Sequence, residues 1–135
     1  MHLDPTAFVA DPELLLALAP RATLVPCEED HVLFRQGDEP VGLYILNRGG
    51  ATLTWESPAG NALFAVPALA GSLLGLPGIV GNQRYTLTAT ALAGAQVGFI
   101  PRDEVMALMH SDPAVSLNFL KVLAAEVRSA RRAIT

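Results

Sequence analysis

A single cysteine, Cys27, stands among 135 residues, so no disulfide can close within the chain and no zinc site can be built from thiolates. Charge is sparse as well. Charged residues make up 16% of the chain and the formal net charge is −4, which excludes a disordered polyelectrolyte and argues against a nonspecific nucleic-acid binder. The three histidines, His2, His31 and His110, lie far apart and lack the closely spaced pair and carboxylate of a metal-binding cupin. Neither Gly-x-Ser-x-Gly nor a phosphate loop ending in Lys-Ser/Thr occurs. His110-Ser111-Asp112 has the residue types of a hydrolytic triad, but neighbouring side chains diverge, and a helix end, a turn and an N-cap account for them. No catalytic residue, metal site or resident cofactor is expected. The opening MHLDPTAFVADPELL carries an early Asp and lacks the basic and apolar regions of a signal peptide, so a cytoplasmic protein is expected.

Charge is missing altogether between Glu56 and Arg84, where ALFAVPALAGSLLGLPGIVG is long enough to cross a bilayer as a helix. Its punctuation argues otherwise. Pro67 and Pro77 each remove a helix hydrogen bond, four glycines (Gly71, Gly75, Gly78, Gly81) weaken helix, and no Lys/Arg cluster flanks it. The segment reads as soluble, loop-rich and buried, not as a membrane span.

What is present suits one domain, residues 1–135, large enough for a real core. Asp11-Pro12 and Asp112-Pro113 pair a good N-cap with a residue suited to the first helical turn, and predict helices over about 11–19 and 113–133. Between them, HVLFRQ, GLYILN, ATLTWE, YTLTATA and AQVGFI follow the period of strands and are separated by GDEP, RGG, SPAGN and GNQ, which are turn compositions. In the fourth run Tyr85, Leu87, Ala89 and Ala91 are predicted on one face and Thr86, Thr88 and Thr90 on the other. RDEVMALMH adds a short helix. The fold class is mainly β with flanking α: a jelly-roll over about 22–101 bracketed by a short N-terminal and a long C-terminal helix.

HVLFRQGDEPVGLYILNRGGATL resembles the opening of the cyclic-nucleotide-binding domain family, whose members include catabolite-activator-like sensor domains. Leu33-Phe34, Gly37-Asp38, Leu43-Tyr44 and Gly49 carry the likeness. LAGSLLG, with Gly71 and Gly75, is similar to the turn entering the family's phosphate-binding cassette, here 71–91, and the final helix resembles its dimerisation helix. Gly37 and Gly49 fall where a roll turn needs positive φ, and Asp38 can hydrogen-bond that turn's backbone. The resemblance implies a regulatory ligand-sensing module in which helix-terminal amides, one Glu and one Arg hold the cyclic phosphate and ribose.

At the two charged seats the pattern fails. The position after Gly75 holds Leu76 where the family has Glu, and six residues before Ala91 stands Tyr85 where it has Arg. Losing two charge-assisted hydrogen bonds costs roughly 3–6 kcal/mol, enough to move a nucleotide out of a useful affinity range. The resemblance therefore implies a degenerate domain that does not bind cyclic AMP in the usual way. An alternative is a genuine nucleotide sensor using Arg84, Thr86 and backbone amides near Gly75. A cupin-like enzyme is a third reading, and the histidine spacing opposes it. Leu73, Leu74, Leu76, Ile79 and Tyr85 either line an apolar pocket or fill the roll.

The last helix carries two apolar stripes. Leu117, Leu120, Ala124, Val127, Arg131 and Ile134 follow three-four spacing, and Phe119, Val122 and Leu123 form the second. One stripe is needed against the roll, and the other predicts a two-fold dimer through Leu117, Leu120, Ala124, Val127 and Arg131. Arg128, Arg131 and Arg132 suit a helix C-terminus and need no nucleic acid to explain them. The chain stops at Thr135, so the winged helix-turn-helix of the family's transcription factors is not expected in it.

Overall fold

The computed structural model describes residues 3–133, so His2 and Ile134, named above, lie outside the described residues. Among the described residues there are eight strands: β1 Thr23–Val25, β2 His31–Phe34, β3 Gly42–Arg48, β4 Ala51–Glu56, β5 Ala62–Ala68, β6 Leu73–Leu74, β7 Thr88–Ala91 and β8 Gln96–Pro101. They form two antiparallel sheets, β1-β8-β3-β6 and β2-β7-β4-β5. The helices are α1 Pro12–Leu18, α2 Leu76–Gly81, α3 Arg102–Ser111 and α4 Pro113–Ala133. This is the expected jelly-roll with a short N-terminal and a long C-terminal helix.

Period two decides where the core lies. In β3, Leu43 and Ile45 face a helix-side cluster shared with α1, α3 and α4, whereas Leu46 faces the roll interior. β6 repeats the split, with Leu73 on the helix side and Leu74 inside. A sheet covered on both faces needs apolar residues at successive positions, which is why GLYIL reads as a continuous run. Gly37 and Gly49 both have positive φ, and Asp38 Oδ2 accepts from Arg35 N at 3.0 Å, as the turn chemistry requires.

Asp112 caps α4, its Oδ1 accepting from Ala114 N at 3.0 Å and Val115 N at 3.4 Å. Asp11 occupies the N-cap of α1 without a side-chain bond. Asp4-Pro5, to which no helix was assigned above, opens a 3₁₀ turn over Pro5–Phe8, with Asp4 Oδ1 accepting from Thr6 N at 2.9 Å. The two stripes of α4 separate as their spacing predicts: Phe119 and Val122 are buried and Leu123 partly so, while Leu117, Leu120, Ala124, Val127 and Arg131 are exposed.

Two expectations are corrected. The uncharged segment is not loop-rich and buried throughout, because its first third is strand β5, much of it exposed. β5 is an edge strand, where Pro67 opposite Thr52 can lack an N–H without breaking the ladder. The YTLTATA run is strand only from Thr88 onward, although Tyr85, Leu87, Ala89 and Ala91 do share the roll-interior cluster, and Thr88 is buried as well. The β4 ladder with β7 begins at Thr54 opposite Thr88, and Thr88 Oγ1 accepts from Gln36 N at 2.9 Å.

Candidate functional site

Between β6 and α2 the backbone turns through Gly75 at φ +91°, a conformation that favours glycine. Glycine is needed twice over, because a Cβ there would lie 2.7 Å from the Tyr85 ring. Pro77 sits in the first turn of α2, where its missing N–H costs nothing. Leu76 and Ile79 are fully buried in the helix-side cluster with Val105, Phe119 and Val122. The apolar pocket considered above for Leu73, Leu74, Leu76, Ile79 and Tyr85 is thus divided. Leu73, Leu76 and Ile79 join the helices, and only Leu74 and Tyr85 belong to the roll interior.

Tyr85 is held on every side. Its hydroxyl donates to Gly42 O at 2.6 Å and accepts from Gly42 N at 3.1 Å. Its ring stacks on Phe34 with centroids 3.9 Å apart. Its backbone locks the Gly37 turn, since Gly37 N donates to Tyr85 O at 2.8 Å and Tyr85 N to Asp38 O at 3.0 Å. Burial holds the phenol above its ordinary pKa, so it is uncharged at neutral pH. Beside it and Gly75 remains a cavity of about 20 Å³, room for one water.

Arg84, one residue earlier, points away from that cavity. Nη1 donates to Gly37 O at 2.9 Å and Nη2 pairs with Glu39 Oε1 at 2.8 Å, with both side chains about two-thirds exposed. Thr86 is exposed too, and both border a shallow groove of about 700 Å³ with Gln36, Glu39 and Trp55. Gly75, Tyr85 and Thr86 therefore meet at the small cavity, whereas Leu76 and Arg84 do not reach it.

A second opening lies between α4 and the β4–β5 hairpin. This crevice of about 380 Å³ is walled by Trp55, Phe64, Phe8, Leu87 and Val127, with Thr86 and Glu126 among its lining, and it shares Phe8, Thr86, Leu87 and Glu126 with the small cavity. Trp55 and Phe64 are cross-strand partners whose rings lie 5.5 Å apart. The Gln36 side chain fixes the end of β4, with Nε2 donating to Glu56 O at 3.1 Å and Oε1 accepting from Glu56 N at 2.8 Å. The N-terminal turn that carries Phe8 is pinned to α4 by Asp4 N donating to Ser129 Oγ at 2.7 Å. Glu126 Oε2 is buried without a hydrogen-bond partner, and that burial raises the Glu126 carboxyl to about 8.

Trp55, Phe64 and Glu126 were not among the residues the sequence singled out. Glu126 follows Phe119 and Val122 at three-four spacing on the buried stripe of α4, and an acid on an apolar stripe was the available signal. No group of three His, Cys, Asp or Glu side chains that could hold a metal occurs among the described residues. Nor is any helix among them long and apolar enough to cross a membrane.

No curated protein matches the chain. Solved structures do. The catabolite activator protein of Thermus thermophilus is 21% identical over 97% of this chain, with a TM-score of 0.79, and the chain spans 62% of that protein's length. A transcriptional regulator from Thermotoga maritima is 19% identical with a TM-score of 0.75, over 89% of this chain and 94% of that one. The N-terminal domain of a transcriptional regulator from Streptomyces coelicolor is 22% identical with a TM-score of 0.68, over 96% of this chain and 90% of that one. These likenesses concern the fold. The sequence profile of the cyclic nucleotide-binding domain matches residues 24–112, from β1 to the end of α3. That match covers well over half of the chain, so this chain belongs to the cyclic nucleotide-binding domain family.

Proposed function

We propose that the protein is a non-catalytic, cytoplasmic ligand-sensing module whose cassette is degenerate and does not hold cyclic AMP in the usual way. The reading rests above all on Tyr85. Its ring fills the space beside Gly75, and the cavity left there falls far below the ~300–1,000 Å³ of small-molecule pockets. Neither Leu76 nor Tyr85 offers a charge to a sugar-phosphate. A signal is relayed to α4 through Leu76 and Ile79, which pack in one cluster with Phe119 and Val122. The exposed stripe of Leu117, Leu120, Ala124, Val127 and Arg131 joins two copies in a homodimer, with no direct contact to nucleic acid.

Titration calorimetry with cyclic AMP and cyclic GMP tests the first part, and no binding below the millimolar range is expected. Submicromolar binding defeats the reading. Light scattering tests the second: a 28 kDa species is expected from two copies of 14.2 kDa each, reduced to monomer by Leu120→Glu.

One observation favours a second reading, in which Arg84 and Thr86 capture a nucleotide with amides near Gly75. The Arg84–Glu39 pair is exposed, and such pairs contribute only about 0–1 kcal/mol, so Arg84 can be drawn away at small cost. On that reading Arg84→Ala abolishes nucleotide binding. On the leading one there is none to abolish.

A further inference from the structure

The crevice beside α4 has a chemistry opposite to that of a nucleotide site. Its lining is almost wholly carbon, and Glu126 carries the one ionisable side chain among the residues that border it. Burial keeps this carboxyl protonated at neutral pH in the free chain. An ammonium that settles on it does so with release of that proton, the ionised carboxylate attracting a cation and repelling a phosphate. Trp55 and Phe64 add two aromatic rings, whose faces attract a cationic head at short range. The opening, about 380 Å³, lies within the size range of small-molecule sites, unlike the cavity beside Tyr85.

The polar atoms point to the same ligand. Glu126 Oε2 is one of two buried side-chain oxygens without a partner among the described residues, the other being the Ser72 hydroxyl in the turn before β6. Buried acceptors are nearly always satisfied, and Glu126 lines both the small cavity and the open crevice, so its unpaired oxygen is left for a donor from outside the chain. A protonated amine supplies that donor and the compensating charge together. A neutral alcohol supplies only the donor, and an acid supplies the wrong charge.

We propose that the crevice between α4 and the β4–β5 hairpin binds a small organic amine, with its ammonium head on the Glu126 carboxylate and its apolar body against Trp55 and Phe64. The inference rests on the reading that this domain senses something other than a cyclic nucleotide, and it names the class of molecule sensed. Because Glu126 lies on the helix that carries the exposed apolar stripe, an occupant here acts directly on α4 without passing through the cassette.

Trp55 is the chain's single tryptophan, so its fluorescence reports the crevice directly. Titrating the full chain with benzylamine, benzyl alcohol and benzoate, molecules of one shape and three charges, tests the proposal. Above pH 8, where the Glu126 carboxyl is ionised, benzylamine is expected to bind saturably and at least about tenfold more tightly than benzyl alcohol, with benzoate weakest. Glu126→Gln is expected to remove that preference and leave benzyl alcohol unchanged. Equal binding of amine and alcohol, or an amine affinity indifferent to Glu126→Gln, overturns the proposal. Absence of saturable benzylamine binding overturns it too, including the case where a second copy covers the crevice. If Glu126→Gln fails to fold, the ranking of the three probes on the wild-type chain still decides. Cyclic AMP in the same cell separates the two failures: tight nucleotide binding defeats the parent reading, whereas silence toward nucleotide with no amine preference defeats this inference alone.

Discussion

At the Gly75 end of the molecule Tyr85 places both functions of its hydroxyl on Gly42 and its ring on Phe34, whereas at the α4 end Glu126 leaves a carboxyl oxygen without a partner. The first region is closed around a cavity of about 20 Å³ and the second opens into about 380 Å³. They share a wall of Phe8, Thr86, Leu87 and Glu126, so they are two ends of one cradle. The difference shows how to separate a filled site from a usable one. Where every polar atom is satisfied internally, the side chains serve the fold. Where a buried acceptor waits at an opening, a ligand has something to gain.

The largest effect that would sharpen this comparison is expected at Leu76. Leu76→Glu places a carboxylate among the apolar side chains of Val105, Phe119 and Val122, and a cost of roughly 4–5 kcal/mol or more is expected in urea unfolding. A mild cost, with a folded variant, would mean that Leu76 faces the cassette cavity after all. Such a result would reopen the sealed end.

Next comes the pH dependence of Glu126. Its folded carboxyl titrates at about 8 against an ordinary 4.5, so between those values the folded chain holds a proton that the unfolded chain has lost. Stability therefore falls as pH rises through that window, by up to ~1.4 kcal/mol per pH unit, and the contribution is flat below pH 4.5. Glu126→Gln should flatten the slope and raise the melting temperature at pH 8. An unchanged slope would mean that the crevice end is as well satisfied as the other.

Tyr85→Phe keeps the ring stack and removes both hydrogen bonds to Gly42, for an expected loss of about 1–3 kcal/mol in the same unfolding assay. The smallest effect belongs to the surface. Arg84→Ala should cost no more than ~1 kcal/mol, because the Glu39 pair is exposed and screened. A larger loss would show that the Gly37 turn depends on the guanidinium bond to its carbonyl.

Much of the fold was legible because its signals are local. The turns at Gly37 and Gly49 need positive φ, and Asp112 caps α4 with its own side chain. Strands β3, β4 and β8 follow from apolar and β-branched runs between turn residues. β5 escaped because ALFAVPA is poor in strand formers and contains a proline, which only its place at a sheet edge makes harmless. The start of β7 was misplaced because alternation continues through Tyr85 and Leu87 although the ladder does not. The candidate site was half legible. Leu76 and Tyr85 were identifiable by their distance from Gly75 and Ala91, but Trp55 and Phe64, paired across the β4–β5 hairpin, meet Glu126 of α4 only in the folded chain.

By itself the sequence determined the family, the order of elements, the two stripes of α4 and the uncharged residues Leu76 and Tyr85 on either side of α2, because each depends on spacing along the chain. Only the tertiary structure decided that Leu76 belongs to the helices, that Tyr85 occupies the space beside Gly75, and that Glu126 faces an open crevice. Those outcomes depend on which side of β3 and β6 a side chain leaves and on what packs against α4, which spacing along the chain does not encode.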